Sequence, residues 1–321
     1  MTKFILKRLA MMIFVLLGIS VLVFVILHFA PGDPAVIICG DFAEETVLEE
    51  TREKLGLNKP LFVQWFDYVK NIVLYGDFGL SWSTGKSVTI SIFERFPTTV
   101  MVAVLGALCT AIIGIVTGIV SAIKQYTWMD NLATFVGMIG VSMPNFFTGL
   151  VLVMVFSLYL KVLPASGNAT WLHYVLPIVT ISFSSCASQM RMTRSSMLEV
   201  MRQDYIRTAR AKGQSERKII MHHELRNALI PIITVTGQQL GILLGGSMIV
   251  EQIFSLPGVG KLMMDSINYR DYPMVRGCIL LLGLCMSLVN LMVDISYAIA
   301  DPRIRSQFAG SKKSKKRGEQ Q

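Results

Sequence analysis

The chain is 321 residues long, 53% hydrophobic and only 16% charged, with a formal net charge of +9. That is more apolar and less charged than a water-soluble globular domain, which excludes a soluble enzyme and gives no reason to expect a nucleic-acid partner. The excess apolar residues lie in runs long enough to cross a bilayer, about 20 residues per helix, so the class is an all-α polytopic membrane protein. Five cysteines (Cys39, Cys109, Cys186, Cys278 and Cys285) form neither a disulfide framework nor a CxxC metal spacing. They read as small apolar packing residues.

Lys3, Lys7 and Arg8 precede an uncharged run from Leu9 to Phe29. The apolar part is longer than the core of a secretory signal, and Ala30-Pro31-Gly32-Asp33-Pro34 offers no small-x-small cleavage site. Residues 1–30 are therefore expected to be a retained first span with a cytoplasmic N-terminus. Residues 31–97 have the composition of a folded polar insert on the other side. A helix is predicted over Glu44–Leu55, stopped by Gly56. A second opens at Pro60, where a proline costs little. Its Phe62, Trp65, Phe66, Val69, Ile72 and Val73 recur at helical spacing, and that face either lies on the membrane or packs on the spans. Tyr75-Gly76-Asp77-Phe78-Gly79-Leu80-Ser81 reads as a turn-rich return to the bilayer. Gly85-Lys86-Ser87 resembles the end of a phosphate-binding loop, but the glycine needed five positions earlier is Leu80. No nucleotide site is assigned to this chain.

Five further apolar runs follow: Thr98–Ile123, Leu132–Leu160, Leu172–Met190, Ala228–Val250 and Pro273–Ala300. Internal glycines such as Gly106, Gly114, Gly118, Gly137 and Gly241 suit close helix approach in lipid. Pro144 and Pro177 are expected to kink their runs. Six spans result, with both termini on one side.

Charge selects that side. With the N-terminus inside, the inner segments carry 19 Lys and Arg against seven acids, and the outer segments nine against 13. This is the bias of cytoplasmic loops, although the long 31–97 loop counts for little. The basic tail 301–321, with Lys312-Lys313-Ser314-Lys315-Lys316-Arg317, reads as a solvated or lipid-surface segment.

Charged groups inside spans are functional candidates because burying them in lipid is costly, and here they are few. Arg276 and Asp294 sit near opposite ends of the last span, within reach of the interfaces. Four scattered histidines make no metal constellation. No proton relay and no nucleophile–base pair can be argued from spacing. The energy for any transport is expected to come from outside this chain.

The conspicuous polar block is Arg194–Arg226, about 33 residues, against roughly 2–8 for usual helix–helix connections. Ser196–Lys212 has helical propensity and Gly213 ends it. Ser215 is placed to cap a second short helix, Glu216 to about His223, with Glu216 in its favourable first turn. The expected object is two short helices around a glycine elbow, a docking device rather than a basic loop that merely obeys the orientation bias.

The block resembles the cytoplasmic loop of binding-protein-dependent ABC importer permeases, whose pattern is Glu-Ala-Ala, three residues, Gly, nine residues, Ile-x-Leu-Pro. Here Arg207-Thr208-Ala209 precedes Gly213 at that spacing, and His223-Glu224-Leu225-Arg226 follows it. Alanine, glycine and leucine match; the glutamate, isoleucine and proline are replaced. The longer strings Asp204–Gly213 and Leu225-Arg226-Asn227-Ala228-Leu229-Ile230-Pro231 are similar to the dipeptide/oligopeptide/nickel subgroup. So are Phe29–Pro34, Gly76–Ser81, Arg95-Phe96-Pro97-Thr98-Thr99, Glu251–Gly260 and Asp301-Pro302-Arg303, which resemble its first permease subunit across nearly the whole chain.

The resemblance implies a type I ABC importer permease fold of six transmembrane helices in a bacterial or archaeal cytoplasmic membrane. The five-span core would run over 98–300, with the coupling loop at 194–226. It implies a heterodimer with a second homologous permease, two cytoplasmic ABC ATPases that hold the ATP and Mg, and an external substrate-binding protein. By that match Ala209, Gly213, Ser215 and Glu216 belong to the elbow and docking helix, and Asp204 to the same coupling loop. Charge suggests that Arg207, Arg210, Lys212, Arg217 and Lys218 meet acidic groups on an ATPase. Di- or oligopeptides are the expected cargo, with nickel chelates or another small solute as the alternative. A self-sufficient secondary transporter or channel is disfavoured by the nearly empty spans and the lack of an internal repeat. No motif supports an intramembrane enzyme.

Overall fold

The structure, a computed structural model, describes residues 2–30, 32–40 and 42–300. The basic tail 301–321 and its Asp301-Pro302-Arg303 string lie outside the described residues. Among the described residues the regular elements are helical, with one isolated antiparallel bridge between Leu80 and Ser87.

The first span is α1 (Thr2–His28). Helices α2 (Pro34–Cys39), α3 (Glu45–Lys54) and α4 (Leu61–Tyr75) form the insert. Asp33 caps α2 by accepting the Ala35 N–H at 2.9 Å. Arg52 ties α3 back to it with a 2.6 Å bond to Asp33 and braces α3 itself with a 2.8 Å bond to Glu45. Gly56 has φ +68 and ends α3, and Pro60 is the residue before α4, both where the sequence places them. The apolar residues of α4 divide between two surroundings. Trp65 reaches α1, donating Nε1–H to Ser20 Oγ at 3.1 Å, whereas Phe62, Phe66 and Val73 are exposed.

Helix α5 (Val88–Ile123) begins ten residues before the expected start at Thr98, with Ser87 Oγ as its N-cap and Pro97 inside it. At 36 residues it is about 54 Å long, well beyond a hydrocarbon core of about 30 Å. The turn carrying Glu94 and Arg95 lies in its first third. Among the described residues four single helices are long and apolar enough to span a membrane: Ile5–His28, Val88–Ile123, Glu216–Gly245 and Tyr272–Ser296. The run Leu132–Leu160 is sharply kinked at Pro144. It is α6 (Trp128–Ser142) and α7 (Asn145–Leu152), the latter running on as a π-helical stretch Val153–Tyr159, bent by 106° and qualifying only together. The cause is Pro144, which forces Met143 out of the helical region to φ −86, ψ 122.

Helix α8 (Leu172–Met201) is long enough to span but too polar to pass on hydropathy. Its Thr180, Ser182, Gln189 and Thr193 are nonetheless buried, because α5, α6 and α11 (Leu225–Gly246) surround it. Glycines set the closeness. A Cβ on Gly114 would lie 2.6 Å from Gln189 Cβ and one on Gly118 2.6 Å from Thr193 Cβ. Numbers rising together make α5 and α8 parallel, with Ser182 Oγ donating to the Gly106 carbonyl at 3.0 Å. Small residues that let backbones touch are the usual device of helix packing in lipid. Beyond α11 come α12 (Met248–Ile253), α13 (Val259–Asn268) and α14 (Tyr272–Ala300). The last runs antiparallel to α1, to which Asp294 is joined by Arg8 at 2.7 Å. The bundle thus has an elbow end, where α5, α8, α1 and α14 bring residues 124, 194–226, 8 and 294, and a loop end carrying the insert and the α12–α13 turn.

Candidate functional site

The polar block departs from the expected pair of short helices. Helix α8 continues to Met201, and a break at Arg202-Gln203 starts α9, Asp204–Ala211. Neither break residue is a helix breaker; the acid Asp204 in the first turn is the one local signal. Gly213, at φ +73, then closes α9 with paired bonds, Gly213 N–H to Arg210 O at 2.9 Å and Gln214 N–H to Ala209 O at 3.4 Å. This is the left-handed C-terminal stop that favours glycine. Ser215 is extended and precedes the next helix, but its hydroxyl makes no capping bond; its carbonyl accepts Lys218 and Ile219 instead. The segment after it is no separate short helix. Glu216–Lys218 (α10) runs through a π-helical turn, Ile219–Glu224, directly into α11. Nothing from Lys218 to Ile230 is glycine or proline, so helix propagation is not interrupted. The free-standing short helix is the one before Gly213.

That helix is held from beneath. Ile206 and Ala209 are buried against Ile219 and Val200. Across the elbow Arg210 donates to Glu216 at 2.9 Å and 3.3 Å and to Glu224 at 3.2 Å. The Glu216 hydrogen bond raises the Arg210 guanidinium above its ordinary pKa. Glu224 is fully buried, and His223 bonds Gln214 at 2.8 Å. The predicted residues therefore part into two sets. Ala209, Arg210, Gly213 and Glu216 build the elbow, while Asp204, Arg207, Lys212, Ser215, Arg217 and Lys218 lie exposed on it. Reasoning from the sequence missed Ile206, Gln214 and Glu224, whose partners lie across the turn.

Three buried acids anchor this elbow and the opposite end. Asp130, in the first turn of α6, takes a bidentate grip from Arg194 on α8, both bonds 2.8 Å, plus the Tyr126 N–H at 2.9 Å and the Ser121 hydroxyl. This fixes the α5–α6 turn to the stem of the elbow. At the loop end Glu251 is fully buried and accepts from Thr99 at 2.8 Å, Ser247 at 2.9 Å and the Lys261 N–H at 3.0 Å. Asp271 accepts from the Ser81 and Ser83 hydroxyls and from the Trp82 N–H at 3.0 Å, closing the insert onto α14. Among the described residues no cluster of metal-ligating side chains occurs.

Comparison with known proteins places the chain. The family model for binding-protein-dependent transport system inner membrane components matches residues 114–306, and its N-terminal companion matches residues 1–103. The chain belongs to this family. It is a membrane-spanning permease subunit of an ABC importer. Glutathione transport system permease proteins GsiC of Escherichia coli (strain K12) and of Shigella dysenteriae serotype 1 are each 43% identical over 305 residues, 95% of this chain and 99% of theirs. Two solved structures share the fold. An inward-facing MetNI methionine ABC transporter matches with a TM-score of 0.53 at 15% identity, covering 65% of this chain and 96% of that one. An amino acid ABC transporter crystallised with histidines matches at 0.52 and 14%, covering 65% and 94%. The expected type I permease fold stands, with α8 as its enclosed, polar member.

Proposed function

We propose that this permease carries a small peptide-like solute, and that α9 is the element through which the importer's energy enters. The cargo reading is supported by the GsiC relatives, which are named for glutathione, a tripeptide; a nickel chelate or another small solute is the alternative. ATP and Mg belong in this reading to two separate ATPase subunits, a second permease completes the channel, and an external binding protein delivers the solute. Both termini and the elbow face the cytoplasm, as the distribution of Lys and Arg supports.

One observation carries the coupling role: a short basic helix, exposed on one side, is locked by a left-handed glycine and the Arg210 clamp to the first turn of a membrane-spanning helix. Force applied to α9 has a covalent and ionic path into α11. Arg207, Lys212, Arg217 and Lys218 offer the positive surface for an acidic groove. The test compares uptake with ATP hydrolysis in proteoliposomes holding the whole importer. Gly213→Val, which forces a β-branched residue into a left-handed conformation costing about 1–2 kcal/mol, should cut uptake at least tenfold while the ATPases keep hydrolysing. Uptake that stays coupled would remove the elbow from the mechanism.

A further inference from the structure

At the loop end, beneath α4, lies an open cavity of about 340 Å³ between α1, α4 and the start of α14. Arg276 and Tyr68 both line it, and two of their donor atoms, Arg276 Nε and the Tyr68 hydroxyl, are buried without a hydrogen-bond partner. Among the described residues no carboxylate pairs with Arg276. Its guanidinium carbon instead lies over the Phe24 ring, 3.9 Å from the centroid, and 5.9 Å from that of Tyr68. Such a contact attracts the charge but gives the N–H groups no oxygen acceptor.

Lys54 and Lys59 line the same cavity; so does Asp67, which Lys59 already engages at 3.1 Å. A second space of about 220 Å³ shares Arg276, Gln64 and Trp82 with the first. A guanidinium without a counter-charge and a buried phenol hydroxyl without an acceptor are each costly. One ligand with anionic oxygens relieves both at once.

We propose that this cavity is an oxyanion-binding site in which Arg276 and Tyr68 donate to a phosphate or carboxylate oxygen. The proposal is independent of the cargo reading. The group comes either from a phospholipid whose headgroup enters beneath α4, where Phe62, Phe66 and Val73 are exposed, or from a soluble anion. The full chain, purified in detergent with its accompanying subunits and stripped of lipid, is titrated with phosphatidylglycerol and, separately, with inorganic phosphate, following the thermal unfolding midpoint. At least one probe should raise the midpoint with saturation. Tyr68→Phe, which removes only the hydroxyl, should weaken that probe's apparent affinity about tenfold, as loss of a hydrogen bond to a charged group does. Arg276→Gln should abolish the response; if that variant does not fold, Tyr68→Phe decides. A response to phosphatidylglycerol alone assigns the lipid headgroup, and one to phosphate the soluble anion. No response to either probe, or equal affinities in wild type and Tyr68→Phe, overturns the site and leaves the cavity to water.

Discussion

Asp130 and Glu251 are both buried acids that pin helices together, yet the two ends of the bundle compensate them differently. Asp130 meets a full positive charge in a bidentate Arg194, supplemented by one N–H and one hydroxyl. Glu251 meets only neutral donors, two hydroxyls and one N–H, in a space so tight that a Cβ on Gly258 would overlap its carboxylate. The elbow end is rich in basic side chains that can be spared for a counter-charge. At the loop end the chain encloses the carboxylate with backbone, which glycines at 258 and 260 make possible; a Cβ at Gly260 would come within 2.5 Å of the Met248 Cα. Charge pairing tolerates partial exposure, whereas compensation by neutral donors requires a closed shell.

The sharpest way to break the contrast is Glu251→Ala. It strands three buried donors at about 1–3 kcal/mol each and should prevent recovery of folded protein from the membrane, measured by fluorescence-detected size exclusion. Normal recovery would mean that the shell at Glu251 is open to water. Asp130→Ala comes next. Loss of one partner from a buried pair costs about 3–5 kcal/mol, reduced here to about 2 because the Arg194 side chain is 26% exposed. Asp130→Ala with Arg194→Met should regain a measurable part of that loss in a thermal unfolding cycle, and a strictly additive double mutant would contradict a direct pairing. Glu251→Gln keeps the shape but turns one acceptor into a donor facing donors, so it should be less damaging than Glu251→Ala and clearly worse than Asp130→Asn in the same assay.

The smallest effect concerns Asp33 in the insert. Burial works against its charge, but the Arg52 and Ala35 hydrogen bonds outweigh it and hold the carboxyl below its ordinary value of 3.8. A depressed folded pKa stabilises above the unfolded value and is lost as pH falls through the folded one. The hydrogen-exchange protection factors of α2 and α3, which remove the intrinsic pH dependence of amide exchange, should therefore be constant above about pH 5 and fall below 3.8. Arg52→Met should remove that pH step.

The signals that were legible in the sequence are those a residue delivers locally. Gly56, Pro60 and Gly213 act through their own backbone angles, so their positions as stops and starts could be read directly. Pro144 announced a break, but the 106° angle depends on where α7 packs. The buried acids were illegible for another reason. Thr99 and Glu251 lie 152 residues apart, and Ser81 and Asp271 190, and helical periodicity carries no information across such distances. The strings Gly76–Ser81 and Glu251–Gly260 stood out by resemblance without revealing that each closes on a distant partner. At the elbow, the first helix was expected to be continuous and the second separate. The reverse holds because packing of Ile206 and Ala209 on Ile219, not propensity, decides where α9 turns.

The unbroken helix from Glu216 to Gly245 is about 45 Å of nearly stiff rod. Its first residue is gripped by Arg210, and just past its other end Ser247 touches Glu251. A rod supported along its middle by α8 and α14 behaves as a lever: tilting one end displaces the other in the opposite sense. Pro231, about halfway along, is where that rod can bend.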